Sequence, residues 1–225
     1  MCGRFVQSAS LDHWVGVLEV ERTLTEELHA SWNVAPTDPI YVAAEHRGTR
    51  QLGAMRWGLI PHWAKDAKGI HINARSETIH AKPAFRDSFK YRRCLVPSNG
   101  FYEWQAGPTG KVPHHIGLAD GPMVFAGVWS GWTDPESGEK LNTVAIVTTD
   151  ASEELAPIHD RMPVWLPPDL WGDWLDREAT DPDDVMPILE QASPGVVVAR
   201  PIGDAVGAVA NNHPGLLDDR QDLFS

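Results

Sequence analysis

The sequence predicts an α+β fold in which a mainly β core is surrounded by peripheral helices. It contains many short apolar runs typical of strands, Gly, Pro and Asp turns between these runs, and few segments with helical spacing. Strands and helices do not alternate regularly, so a doubly wound parallel sheet is not expected. A length of 225 residues allows a sizeable core, most simply in one domain over 1–225 with a polar tail at about 211–225.

The clearest predicted helix follows Ser10. Its apolar positions Leu11, Trp14, Val15 and Leu18 have i, i+3, i+4, i+7 spacing, and the Ser10 hydroxyl suits a helix cap. A helix beginning at residue 76 would be limited by the proline at position 83. The other predicted helical segments are 25–29, 76–80, 168–175 and 184–191.

The predicted strands fill most of the remaining chain. A hairpin is expected across Arg47 and Gly48, and a bend at 97–99 separates two further strands. Residues 32–36 are expected to be extended, because the residue before a proline avoids the helical region. The predicted strands are 39–45, 51–57, 94–96, 100–105, 112–118, 123–129, 142–149, 162–166 and 195–200.

The net charge and the cysteine content of the chain argue against some classes of protein function. A net charge of -12 argues against a protein that coats nucleic acid non-specifically, although a local basic face remains compatible with it. Two Cys form no disulfide framework, and no residue spacing resembles a metal site, so neither a metal nor a cofactor is expected. The cytoplasm is the expected compartment, with no signal pattern and no membrane-spanning apolar run.

Cys2 is the residue around which the chemistry is organised. Removal of Met1 would leave a terminal Cys with an amine of pKa about 7.7–8.0 and a thiol of pKa about 8.5. The amine can condense with an aldehyde, and the thiol can then close a five-membered thiazolidine ring on the same carbon. The alternative is an unremarkable small residue at a frayed chain end.

Three further segments hold candidate site residues, and each has a simpler interpretation. Asn73 and Arg75 can orient a substrate and bind phosphate, or lie on a solvated helix entry. Glu103 becomes a proton shuttle if its strand turns it inward, and a surface carboxylate otherwise. His159 is suited to proton transfer near neutral pH, although a His-Asp pair is also common in turns.

Seven segments, in order, resemble the SOS-response-associated peptidase (SRAP) family. Any one of these motifs would be a weak indication, whereas all seven in this order are very specific. The matches extend from residue 1 to about 163, with a weaker one near 209–212. They are MCGRF at 1–5, NVAPT at 33–37, RWGLIP at 56–61, NARSET at 73–78, RRCLVP at 92–97, GFYEW at 100–104 and HDRMP at 159–163.

This resemblance implies a curved, largely antiparallel, barrel-like sheet and a protein that senses abasic sites in single-stranded DNA. Cys2 would form the thiazolidine crosslink with the C1′ aldehyde of the opened sugar. Asn73 would position the amine and the sugar, Glu103 would transfer protons, and His159 would help to open the sugar ring. Lyase-like Schiff-base chemistry, self-removal of Met1 and crosslink reversal are also implied. The protein is expected to act as a monomer, associated with the nucleoid when bound to DNA.

The resemblance also implies a set of DNA contacts. Arg4, Arg75 and Arg161 would bind phosphates, and Trp57 and Trp63 would stack or wedge beside the lesion. The remaining expected DNA-binding residues are Asn33, Pro36 and Ser76. With a net charge of -12, the acidic residues would have to lie on another face and in the tail.

Two alternatives belong to other functional classes. Cys-Gly starts also occur in N-terminal-nucleophile amidotransferases, in which the free amine acts as base to the thiol. Such an enzyme would release ammonia from glutamine and would ignore abasic DNA. A non-catalytic reader of single-stranded or modified DNA would bind undamaged DNA and would tolerate Cys2→Ala.

Overall fold

The computed structural model describes residues 2–108 and 110–219, and β-strands make up most of its regular structure. The strands are β1 (Phe5–Gln7), β2 (Arg22–Thr23), β3 (Ser31–Val34), β4 (Pro39–His46), β5 (Thr49–Trp57), β6 (Asn73–Arg75), β7 (Arg93–Ser98), β8 (Gly100–Gly107), β9 (Gly110–Leu118), β10 (Met123–Thr133), β11 (Lys140–Asp150), β12 (Arg161–Pro163) and β13 (Val197–Pro201). Strands were correctly predicted in nine of these places, with ends that differ by a few residues.

Five strands close into a barrel in the order β11, β10, β7, β4, β5. The ring is closed by a parallel pairing of β5 with β11, in which Arg56 lies opposite Thr143. The other four neighbouring pairs are antiparallel. The prediction of a largely antiparallel, barrel-like core is therefore confirmed.

Side-chain alternation along the barrel strands separates two apolar cores. On β10, Phe125 and Trp129 point to the barrel interior, whereas Val124, Ala126 and Val128 face the helices outside. The strands are therefore covered on both faces. This explains why β10 and β11 appear in the sequence as nearly continuous apolar runs.

A second antiparallel sheet, in the order β13, β9, β8, β1, β3, covers one end of the barrel. The Phe5 ring of β1 lies 5.0 Å from Trp57 and 6.0 Å from Phe125, measured between ring centroids. Phe101 of β8 lies 6.2 Å from Phe125 in the same way. These rings plug the barrel and hold the start of the chain at this end.

The helices pack on the outside of the barrel. They are α1 (Leu11–Val17), α2 (Arg86–Tyr91), α3 (Trp171–Leu175) and α4 (Pro182–Glu190), with 3-10 turns at Ser76–Thr78, Pro168–Leu170, Asp204–Gly207 and Pro214–Leu217. The predicted cap is present, since the His13 amide donates to the Ser10 hydroxyl over 3.2 Å. No helix among the described residues is long and apolar enough to cross a membrane.

Two helix predictions were wrong. Residues 25–29 form no helix, because neighbouring groups hold the segment in an open conformation: the Leu28 amide donates to the Tyr41 hydroxyl over 2.6 Å. Five residues are also too few to offset the cost of helix nucleation without tertiary support. The segment 76–80 contains only the 3-10 turn Ser76–Thr78, and the true helix, α2, begins after Pro83.

The predicted polar tail packs against the rest of the chain up to Asp219. Leu216 is buried, the Trp32 amide donates to the Asn212 side chain over 2.7 Å, and Ile202 forms a β-bridge with Asp219. These contacts bind the segment to β3 and to the second sheet. The rest of the predicted tail, residues 220–225, lies outside the described part of the chain.

Candidate active site

Cys2 lies at the plugged end of the barrel and is fully buried. Pairing of β1 with both β3 and β8 fixes the backbone that follows it. Burial raises the pKa of the Cys2 thiol well above its usual range, and the negative charge of Glu103 raises it further. Burial therefore disfavours the thiolate form of Cys2, and the charge of Glu103 acts in the same direction.

Asn73 holds the backbone of Cys2 directly. Its Nδ2 donates a hydrogen bond of 2.8 Å to the Cys2 carbonyl oxygen. The position of Asn73 is set by β6, which pairs in parallel with β11 so that Asn73 lies opposite Ile146. Its Oδ1 is buried and accepts no hydrogen bond from the described residues, which leaves an acceptor available beside the chain start.

The Glu103 side chain points inward. The strand alternation allowed this orientation, because it places Glu103 on the same face as the buried Phe101. Its side chain is buried on β8 at the cavity that His159 also lines. Burial raises the pKa of Glu103, and nearby positive charge, that of His159 included, opposes the rise. A carboxyl group with a raised pKa remains protonated at higher pH than an ordinary Glu, which suits it to donate a proton.

His159 faces Glu103 from a loop before β12. Its Nε2 lies 3.8 Å from Oε2 of Glu103, and its Nδ1 lies 3.0 Å from the Arg161 amide and 2.9 Å from Oδ1 of Asp160. When Nδ1 accepts the Arg161 N–H, the ring proton is on Nε2 and is directed to Glu103. The loop is tied to β8 by a 3.1 Å hydrogen bond from Gln105 to the Pro157 carbonyl.

An open cavity of about 430 Å³ is lined by Glu103, Trp104, Lys111, His159 and Gly207. The structure thus brings Cys2, Asn73, Glu103 and His159 to one end of the barrel from four distant segments. Cys2 itself does not line the cavity, and its nitrogen is an amide until Met1 is removed. The sequence did not predict three of these lining residues, Trp104, Lys111 and Gly207. The register of β8 against β9 and the course of the later chain bring them to the cavity, and no local pattern indicates either.

Arg4 and Asn33, two of the expected DNA contacts, form hydrogen bonds with the later chain. The Arg4 guanidinium donates to Oδ1 of Asn33 over 2.7 Å and to the Val206 carbonyl over 3.2 Å. The buried Asn33 amide nitrogen lies within 3.2 Å of the carbonyl oxygens of Val206, Ala208 and Asn211. We call this arrangement of Arg4 and Asn33 the carboxy-terminal clamp.

Two other expected DNA contacts, Trp57 and Arg161, also have hydrogen-bond partners within the protein. Trp57 is completely buried inside the barrel, and its indole N–H donates to the Ile72 carbonyl over 2.9 Å, so it has no face for a base. Arg161 forms a bidentate pair with Glu77, at 2.6 and 3.1 Å, and also contacts Asp150 and the Thr148 carbonyl. These contacts involve Nη1 and Nη2 of the guanidinium, whereas Nε has no hydrogen-bond partner among the described residues.

The remaining expected DNA contacts differ in exposure. Trp63 is 56% exposed, and Arg75 is exposed, with no hydrogen bond or ion pair to another described side chain. Pro36 is half-buried, whereas Ser76 is buried at the start of its 3-10 turn. Arg75 and Trp63 are therefore the two that present a free cation and a free aromatic face.

The described part of the chain contains no candidate metal site. Within residues 2–108 and 110–219, no group of three or more His, Cys, Asp or Glu side chains is arranged to hold a metal ion. Both cysteines, Cys2 and Cys94, are buried free thiols.

Known proteins resemble this chain over nearly its full length. It is 38% identical to the "Abasic site processing protein YoqW" of Bacillus subtilis over 97% of this chain and 99% of that one. It is 31% identical to the "Abasic site processing protein YedK" of Escherichia coli over 96% and 99%. A crystal structure of a protein from Bacteroides thetaiotaomicron superposes with a TM-score of 0.83 at 23% identity, covering 98% of this chain and 100% of that one, and shows the same fold.

The family model of the SOS response associated peptidase (SRAP) matches residues 1–209. The match includes all seven sequence motifs and the clamp residues that contact the later chain. With this match and relatives above 30% identity over almost the whole length, the chain belongs to the SOS response associated peptidase (SRAP) family.

Proposed function

We propose that this protein processes abasic sites in single-stranded DNA by forming a covalent thiazolidine crosslink through Cys2. The observation that carries the proposal is the grouping of Asn73, Glu103 and His159 around the second residue of the chain. The names of the YoqW and YedK relatives, which describe abasic site processing, support the same substrate.

The first step is hydrolysis of the Met1–Cys2 peptide bond, which consumes one water and releases methionine. We assign this step to the protein's own site, in keeping with the peptidase name of the family. The buried Oδ1 of Asn73, which has no described partner, is available to accept a hydrogen bond from the new amine of Cys2.

The amine then attacks the C1′ aldehyde of the opened sugar and forms a carbinolamine. Protonation of its hydroxyl by Glu103 releases one water and leaves an imine. The raised pKa of Glu103 supports this role, because burial favours the protonated form of the carboxyl group. His159, whose Nε2 lies 3.8 Å from Glu103, would supply the proton that opens the sugar ring and then reprotonate Glu103.

The thiol closes the ring in the last step. Its sulfur bonds to the imine carbon, and its proton passes through Glu103 to the nitrogen. The full reaction joins amine, thiol and aldehyde and releases one water. Because burial raises the pKa of the Cys2 thiol, we infer that the amine reacts first and that the neutral thiol adds afterwards. Reversal follows the same steps backwards, with Glu103 again transferring the protons.

DNA would bind through exposed side chains. We assign phosphate contact to Arg75 and base stacking to Trp63, supported by their exposure and freedom from intramolecular pairs. Pro36 would contact the strand beside them. We place the protein as a one-domain monomer in the cytoplasm, at the nucleoid when bound to DNA, which fits its two free thiols.

A denaturing gel tests the proposal. The protein is incubated with a single-stranded oligonucleotide that carries one abasic site, and with the same oligonucleotide undamaged. We expect a slow-migrating adduct only with the abasic strand and only when Cys2 is present. An adduct of equal yield with Cys2→Ala, or release of ammonia from glutamine with no adduct, would remove the proposal.

A further inference from the structure

The barrel contains a second cavity, of about 510 Å³, at the end away from Cys2. We call it the barrel-mouth cavity, and the residues that matter for its chemistry are Ala44, Met55, Arg92, Trp129 and Arg177. Its volume lies within the range of about 300–1,000 Å³ that is typical of ligand pockets, and mouths of β-barrels are a common place for them.

The strands themselves show that the two sites lie at opposite ends of the barrel. On β10, Phe125 contacts the plugging ring of Phe5, whereas Trp129 lines the barrel-mouth cavity. These two residues point to the same interior and are separated by about 13 Å of strand. On β5 the order is the same, with Trp57 against Phe5 and Met55 at the cavity. A ligand there would not touch the Cys2 site.

The cavity combines an apolar floor with two cations, Arg92 and Arg177, and one carboxylate, Glu45. Ala44, Met55 and Trp129 are half-buried and pack against the core of the barrel interior. The Arg92 guanidinium lies over the Trp129 ring, 5.9 Å from its centroid, and Arg177 is exposed at the rim. Neither guanidinium forms an ion pair or a side-chain hydrogen bond with another described residue.

We propose that the barrel-mouth cavity binds a nucleotide, with the base against Trp129 and the phosphate on Arg92 and Arg177. An indole ring is a sequence-tolerant platform for a nucleobase. A guanidinium offers parallel donors that match phosphate oxygens, and two unpaired ones lie at this cavity. In a chain of net charge -12, an anion is held here by these local cations and not by the overall field.

Isothermal titration calorimetry of the full chain with AMP tests the site. We expect saturable one-to-one binding that is about tenfold weaker in Arg177→Gln, which removes a charge-assisted contact from an exposed residue and so leaves the fold intact. Trp129→Leu should weaken it by a similar factor. Arg86→Gln, which removes an exposed guanidinium outside the cavity, is the matched control and should bind as the parent does.

Ligand fragments test the two halves of the site. Adenosine lacks the phosphate and ribose 5-phosphate lacks the base, so each should bind at least about tenfold more weakly than AMP. Competition of AMP by a 5′-phosphorylated oligonucleotide would identify a DNA end as the source, and its absence would identify a free nucleotide. No saturable heat up to about 1 mM AMP, or an affinity unchanged by both Arg177→Gln and Trp129→Leu, would overturn the inference.

AMP binding at the barrel-mouth cavity should not depend on the crosslinking chemistry at Cys2. AMP binding should be the same in Cys2→Ala, because Cys2 lies at the plugged end of the barrel. A protein that crosslinks abasic DNA and fails to bind AMP would overturn only the nucleotide site. A protein that binds AMP at Arg177 and forms no Cys2 adduct would overturn only the proposed function.

Discussion

Nε2 of His159 lies 3.8 Å from Oε2 of Glu103, at the cavity beside Cys2. Nδ1 of the same ring lies 3.0 Å from the Arg161 amide nitrogen and 2.9 Å from Oδ1 of Asp160. The pair joins a buried acid to a half-exposed imidazole that solvent can reach. In the proposed mechanism, Glu103 gives its proton to the carbinolamine hydroxyl and recovers one through His159.

Glu103→Gln should slow crosslink formation by about 100-fold or more, since a positioned general acid contributes about 10²–10⁴ in rate. The amide keeps the shape of the side chain and removes its titratable proton. Single-turnover gels with abasic single-stranded DNA measure the rate. Glu139→Gln, which changes an exposed residue of the β10–β11 hairpin, is the matched control. Equal rates for Glu103→Gln and its parent would show that Glu103 is structural.

Stability should depend on pH through the same carboxyl group. Burial raises the pKa of Glu103 in the folded state, so the stability contributed by its proton is present below the unfolded pKa and is lost as pH rises through the folded pKa. Gln does not ionise. Relative to the parent, Glu103→Gln should therefore gain melting temperature from pH 4 to pH 8, by about 2–4 °C for each kcal/mol. Calorimetry at both pH values measures this gain, and a constant difference would contradict it.

The two tryptophans of the 56–63 region should behave oppositely when replaced by Ala. Trp63→Ala should weaken binding of single-stranded DNA by about 1–3 kcal/mol, because an exposed stacking face is lost, and should leave the melting temperature unchanged. Trp57→Ala should destabilise the fold by about 3–5 kcal/mol, because a cavity opens inside the barrel. Fluorescence anisotropy and urea unfolding measure the two effects. Unchanged DNA affinity in Trp63→Ala would exclude stacking there.

The carboxy-terminal clamp should be needed for stability. Asn33→Ala leaves the Val206, Ala208 and Asn211 carbonyls without their amide donor and should cost about 2–3 kcal/mol of unfolding free energy. Gln191→Ala, which removes one surface hydrogen bond, should cost less than about 0.5 kcal/mol. Urea unfolding compares the two variants. Equal costs would show that the clamp does not hold the later chain.

Much of the fold follows from local pattern. The turn at Arg47 and Gly48 has positive φ at both residues, which explains why this hairpin could be predicted. The alternation of Phe101 and Glu103 also allowed an inward carboxyl group. The closing pair of β5 and β11, by contrast, joins strands that are far apart in the sequence. No local pattern encodes that contact.

The roles of individual motif residues were harder to predict, because a motif does not reveal which partner a side chain meets. Arg161 meets Glu77 and Asp150, and Arg4 meets Asn33, so both cations are used within the fold. Arg93, in the 92–97 motif, donates to backbone carbonyls of Phe89 and Trp174 and joins α2 to α3. These motifs thus contribute to the fold as well as to the site.

Intact mass spectrometry after incubation with abasic single-stranded DNA tests the central claim most directly. The account predicts a species with the mass of the chain without Met1, plus the oligonucleotide, minus one water, which is absent in Cys2→Ala. An adduct that retains Met1, or one that forms equally in Cys2→Ala, would contradict it.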